Sequence, residues 1–217
     1  MTKTREETLR KHSIEAYNDS IKSRWTARHA FSAKLASSTS LDHVLNIGSY
    51  NGWIESALFS SGRHSIVSID VDRENIQKAK TNVPMADFLI ASASNLPFKE
   101  HLFHLTTMYE VIEHISKNME KKTLGECNRV LQENGILLLS TPFNALRSKL
   151  LDPAWYLGHR HYSIDRLASI GQTTGFATQK TYIFGGLFEQ LTVILLYIFK
   201  NLGFEIPFKN WFEKRRL

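Results

Sequence analysis

The stretch His43-Val44-Leu45-Asn46-Ile47 is largely apolar and runs straight into a turn bounded by two glycines, Gly48 and Gly52. A helical pattern follows at once, through Trp53, Ile54, Ala57, Leu58 and Phe59. A buried strand that ends in a glycine turn and opens a helix is the first half of a strand-helix-strand unit. Its turn lets backbone approach a ligand closely, which narrows the fold more than any other feature of the chain.

The pattern then repeats. Ser65-Ile66-Val67-Ser68-Ile69-Asp70 is a second apolar run, followed by a helical stretch from Arg73 to Asn82. Phe88-Leu89-Ile90-Ala91, Leu105-Thr106-Thr107-Met108-Tyr109 and Ile136-Leu137-Leu138-Leu139-Ser140-Thr141 are the third to fifth strands. Lys117 to Leu131 reads as a helix that Asn134-Gly135 closes. Asp165 to Thr174 reads as a helix opened by Ser163, and Ala177 to Phe184 as a further strand. Strands that are apolar throughout, separated by helices, predict a parallel sheet covered on both faces. The expected fold class is therefore α/β: a Rossmann-like, doubly wound, mainly parallel sheet of the seven-stranded type with helices on both faces. No closing antiparallel strand is evident after Phe184.

Three regions are expected along the 217 residues. Residues 1–40 form an N-terminal helical lid, with Leu9, Ile14, Tyr17, Ile21, Trp25 and Phe31 at mostly helical intervals. Residues 41–185 form the ligand-binding domain, and residues 186–217 an apolar helix with a basic tail. A single cysteine, Cys127, excludes an internal disulfide framework and a multi-cysteine metal site. The formal charge of +6 comes largely from the two ends, so it argues weakly for nucleic acid and somewhat better for an anionic membrane surface. Met1 to Ser20 is polar and has no secretory pattern, which predicts a cytoplasmic, at most membrane-peripheral, protein.

Asp70 ends the second strand, about 20 residues beyond the glycine turn, where an acid accepts hydrogen bonds from ribose hydroxyls in folds of this kind. The spacing Gly48-x-x-x-Gly52 differs from the G-x-G-x-x-G of dinucleotide sites, which seat a diphosphate on the helix N-terminus.

Four stretches, VLNIGSYNGW at Val44 to Trp53, VSIDVD at Val67 to Asp72, ASNLPFKEHLFHLTTMYEVIEHI at Ala93 to Ile115 and GILLLSTP at Gly135 to Pro142, carry a family likeness. The sequence resembles the class I S-adenosylmethionine-dependent methyltransferases, particularly small-molecule enzymes related to the quinone-biosynthesis methyltransferases. The resemblance spans roughly residues 40 to 185 and implies S-adenosylmethionine as cofactor. It implies that Gly48, Ser49, Tyr50 and Gly52 lie against the methionine part, that Asp70 holds the ribose, and that Val71, Ser92 and Ala93 approach the adenine. Glu110 would follow the fourth strand beside the active site. The chain departs from the family pattern at Asn46, where an acid is usual, at Tyr50, where a glycine is usual, and at Ser92 and His104, where aspartates are usual.

For the acceptor side the candidates are Glu110, Glu113 and His114 after the fourth strand, and His159, Arg160 and His161 in the segment after the fifth. His114 is the best general-base candidate because imidazole titrates near neutrality; packing against the strands is an equal alternative. His159 and His161, alternating in an extended loop, would face one side and, with Arg160, orient an acceptor or its anionic group; a capped loop is the alternative. No metal site is expected. From Leu191 to Phe199 the chain is intensely apolar but too short to span a bilayer, which needs ~20 residues. Residues 187–204 are thus expected to serve as a peripheral membrane contact, a homodimer interface or core packing. Methyl transfer to a small or lipid-like acceptor is the expected function, with a catalytically silent Rossmann-like binding or scaffold protein as the alternative.

Overall fold

The computed structural model describes residues 27–39, 42–63, 65–144 and 160–184. Five strands, β1 (Val44–Ile47), β2 (Ile66–Asp70), β3 (Asp87–Ile90), β4 (Phe103–Tyr109) and β5 (Leu131–Ser140), form one sheet in the order β3-β2-β1-β4-β5. Every neighbouring pair is parallel. The helices are α1 (Ala27–Ser38), α2 (Trp53–Ser60), α3 (Arg73–Asn82), α4 (Glu120–Val130) and α5 (Ile164–Thr173).

Alternation along the strands sends residues to two separate cores. Val44, Ile66, Phe88 and Leu105 pack with Ala33 and Ala36 of α1, Ile54 and Leu58 of α2, and Ile76 and Ala79 of α3. Leu45, Ile47, Ile69 and Met108 pack on the other face with Leu124, Cys127 and Val130 of α4 and Ile170 of α5. With helices on both faces, β1 is buried at all four positions, and its largely apolar run follows from that.

Local chemistry sets the helix starts. The Asp72 carboxylate accepts from the Glu74 amide (2.7 Å) to cap α3, and the Ser163 hydroxyl accepts from the Arg166 amide (3.2 Å) to cap α5. The turn after β1 is held by the amides of Gly48 and Ser49, which both donate to the Ile69 carbonyl at 2.8 and 3.1 Å.

Two expectations need correction. The sheet has five strands among the described residues, and residues 177–184 do not form a strand. Instead of pairing with β5, that segment packs Tyr182 and Phe184 against Phe31 of α1, with ring centroids 4.9 and 4.6 Å away. Asn134-Gly135 does not cap the preceding helix either: α4 ends at Val130, and Leu131 already pairs with Phe103. Asn134, at φ 63, lies where the register of β5 on β4 shifts between Phe103 and Leu105, so the pair makes an irregularity in the strand.

From β1 the sheet grows outward through β2 and β3, then the chain returns to place β4 on the other side of β1. The crevice between the carboxyl ends of β1 and β4 is a topological switch point, where ligands of open α/β sheets bind.

Candidate active site

A cavity of about 410 Å³ opens at that crevice, within the ~300–1,000 Å³ usual for small-ligand sites. Gly48, Tyr50, Asp70, Val71, Ala93, Glu110 and His114 line it, bringing together seven of the residues singled out in the sequence. Ser49, Gly52, Ser92 and His161 are not part of its lining, and His159 lies outside the described residues. Ser49 is buried beneath the turn, and Gly52, at φ 84, sets the start of α2. Tyr17, Trp25 and residues 186–217 also lie outside the described residues.

One half of the cavity is built on β2 and the glycine turn. The Asp70 carboxylate accepts from the Tyr50 amide and the Asp72 amide, both at 3.0 Å, and from the Asn75 side-chain amide at 3.3 Å. These bonds aim it across the cavity floor while its remaining lone pairs stay available to a ligand. Tyr50 keeps the left-handed backbone of the glycine that is usual there, φ 46, and swings its ring into solvent, 61% exposed. The bulk expected to block the turn is thereby carried outward.

The other half is built on the ends of β4 and β5 and on α1. Glu110, also left-handed at φ 56, accepts from Arg28 Nη1 (2.8 Å) and from the Ser140 hydroxyl (2.7 Å). Trp53 sits between His29, at 4.8 Å edge to face, and Tyr109, at 5.7 Å, giving an aromatic wall. The Tyr109 hydroxyl donates to the Ser32 carbonyl (3.2 Å), and burial pushes its pKa up, so it is a fixed donor and not a base. Arg28, His29, Ser32, Asn75 and Ser140 were not anticipated from sequence. Ser140 was findable, since it ends a predicted strand; the α1 residues carry no motif.

Residues 45–139 match the family model described as "Methyltransferase domain". The match takes in the glycine turn, Asp70, the end of β4 and most of β5. A probable S-adenosylmethionine-dependent methyltransferase of Mycobacterium tuberculosis is 25% identical over 181 residues, covering 81% of this chain and 61% of that protein. The chain thus spans about 61% of the length of that curated relative. Among solved structures, the YcgJ protein of Bacillus subtilis superposes with a TM-score of 0.56 at 23% identity, over 68% of this chain and 69% of its own. The cyclase SpnF gives 0.58 at 19% identity, over 69% and 57%. These two likenesses concern the fold.

S-adenosylmethionine is the cofactor named for the Mycobacterium tuberculosis relative, and the chemistry of the first half of the cavity suits such a molecule. Asp70 offers a carboxylate to hydroxyls, Val71, Ala91 and Ala93 offer apolar surface to a planar base, and Gly48 offers bare backbone.

Behind this second half of the cavity lies a brace that changes the reading of Arg160. Its guanidinium is turned away from any acceptor and donates to the carbonyls of Ile112 (2.6 Å), Glu113 (3.4 Å) and Ile115, and to the buried carboxylate of Glu120. The Tyr162 hydroxyl donates to the same Glu120 (2.8 Å) and to the Ile112 carbonyl (3.2 Å). One cation therefore clamps the 3-10 turn Ile112–His114, which carries His114 at the cavity edge. Glu113 points inward from that turn, accepting from the Thr141 hydroxyl at 3.1 Å. Burial, and then the neighbouring Glu110 charge, push its carboxyl up to about 8.

Proposed function

We propose that this protein transfers the methyl group of S-adenosylmethionine to an oxygen or nitrogen of a small organic acceptor with an apolar, lipid-like body. The observation that carries this reading is a single cavity with a cofactor half at Asp70 and a second half that pairs an aromatic wall with Glu110 and His114. When bound, the cofactor supplies an electrophilic methyl group on a sulfonium, so the chain must add alignment and a destination for the acceptor's proton.

His114 is the group we assign to that proton. It is exposed at the cavity edge on a braced turn, and an imidazole is half protonated near neutral pH. Glu110, paired with Arg28 at 2.8 Å, orients the acceptor. Trp53, Tyr109 and Val111 provide the apolar surface against which an acceptor body would lie.

Calorimetric titration with S-adenosylmethionine and with its demethylated product tests the reading. Micromolar binding that Asp70→Ala weakens by about tenfold or more is expected, since charged hydrogen bonds contribute roughly 1.5–3 kcal/mol. No binding by the wild-type chain would overturn it. His114→Ala should then lower turnover on any acceptor found while leaving cofactor affinity unchanged.

A second reading, a catalytically silent binding protein, is supported by the departures from the family pattern at Asn46, Ser92 and His104. Turnover that disappears in Asp70→Ala would remove it. Residues 187–204 support a membrane-surface contact or self-association on sequence alone, and the divisions at 40 and 185 are proposed on the same footing. Among the described residues no helix is long and apolar enough to cross a membrane.

A further inference from the structure

Asn46, Ser68 and Thr107 occupy one row across three strands, the register pairing Asn46 with Ser68 on β2 and with Thr107 on β4. All three are buried, on the face that α2 covers, and Glu55 on the first turn of α2 has no exposed surface at all. Two of the donors in the row reach that acid, and the third bonds to one of those two residues. Thr107 donates to the Asn46 side-chain carbonyl (2.8 Å), the Asn46 amide donates to Glu55 Oε1 (2.6 Å), and the Ser68 hydroxyl donates to the same oxygen. The Asn46 amide also faces the Gly48 carbonyl at 3.5 Å. The second oxygen, Glu55 Oε2, is buried and has no hydrogen-bond partner.

A polar row in the middle of a parallel sheet costs stability relative to apolar packing, so its position matters. It lies two residues before Gly48, Asp70 and Tyr109, which form the cavity floor. The helix it holds begins at Gly52, the end of the glycine turn. Where related domains usually carry an acid on the strand, this chain has an amide, and the carboxylate reaches the same row from the helix.

We propose that Glu55 is a positioning residue of the cofactor site: its ionised carboxylate fixes the first turn of α2 to the row beneath and so holds the Gly48–Gly52 turn in the shape that receives the cofactor. This rests on the cofactor reading above. An ionised Glu55 holds both donors at Oε1 with charge-assisted bonds, whereas a protonated one accepts them there as a neutral carbonyl and grips them more weakly. Burial is the main cause that pushes its carboxyl up, to about 7, with the Asp70 charge adding to it. Cofactor binding therefore favours ionised Glu55, and affinity falls as pH drops through neutrality. The other titratable or charged groups on β2, β4 and α1 are Asp70, His104, Tyr109, Arg28, His29 and Lys34, and Glu110 and His114 also line the cavity.

The test is the affinity for S-adenosylhomocysteine from pH 6 to 8.5, by calorimetry, for the wild-type chain, Glu55→Gln and the exchanged pair Asn46→Asp/Glu55→Gln. Wild type should bind about tenfold more tightly at pH 8 than at pH 6, and Glu55→Gln should lose that step while keeping the fold by circular dichroism. The exchanged pair, with one acid and one amide restored to the row, should recover wild-type affinity at pH 8, and it carries the test if Glu55→Gln alone does not fold. Parallel pH profiles in wild type and Glu55→Gln would assign the step to another group, such as Glu113, His29 or His114, and overturn the proposal while leaving the cofactor reading intact. No binding by wild type at any pH would overturn both.

Discussion

Gly48 shows how much of the site depends on single positions. Its φ of 89 lies in the left-handed region, and an added Cβ would stand 2.4 Å from Cγ2 of Val111. Here β1's turn meets the turn after β4, so the glycine is required by backbone conformation and by close approach at once. Gly48→Ala should destabilise the protein by about 2–4 kcal/mol in urea unfolding. Adding Val111→Ala should recover the part that comes from the clash and leave the part that comes from φ. Tyr50 and Glu110 hold the same region of backbone space without being glycines. Two such residues beside one cavity are the kind of strain that clusters at ligand sites.

At the scale of elements, the acceptor half is assembled by pieces far apart in the chain. The Arg28–Glu110 ion pair ties α1 to the end of β4, and Arg160 ties the segment before α5 to the turn after β4. Glu120 is 3% exposed in its side chain and receives both Arg160 and Arg166. Arg160→Ala would leave three carbonyls short of a donor and Glu120 with one cation fewer. A loss of about 2–3 kcal/mol in urea unfolding is expected, together with a change in the His114 imidazole resonances by NMR. Arg166, half exposed and bonded only to Glu120 in this cluster, is the control: Arg166→Ala should cost about 1 kcal/mol or less and leave those resonances in place.

For the whole molecule, two buried acids set the dependence of stability on pH. The carboxyl pKa values of Glu55 and Glu113 are raised from an ordinary 4.5 to about 7 and about 8, burial being the larger cause in both. The folded chain thus keeps protons that the unfolded chain releases above 4.5. The stability linked to them is complete below that pH and is lost as pH rises through 7 and 8. The slope is at most about 1.4 kcal/mol per pH unit for each group. Urea unfolding from pH 5 to 8 should show declining stability, and Glu55→Gln/Glu113→Gln should flatten it. Cofactor affinity is expected to move the opposite way over the same range, so the two measurements separate folding from site geometry.

The sequence by itself determined the sheet and the first half of the site. Short, largely apolar runs, as in Val44–Ile47 and Ile66–Asp70, bounded by turn signals and set between helical stretches, read as strands buried on both faces, and a glycine turn with an acid one strand later marks their carboxyl ends. Those signals are local, so Gly48 and Asp70 could be read directly. The tertiary structure decided what depends on distance in the chain: that Arg28 reaches Glu110 across 82 residues, that Arg160 serves the His114 turn instead of an acceptor, and that residues 177–184 pack their rings on Phe31 instead of joining the sheet. It also decided that a carboxylate from α2, that of Glu55, meets Asn46 beneath the turn. No periodicity records these contacts, because each is made by a side chain whose partner is chosen by the packing of elements and not by spacing along the strand or helix that carries it.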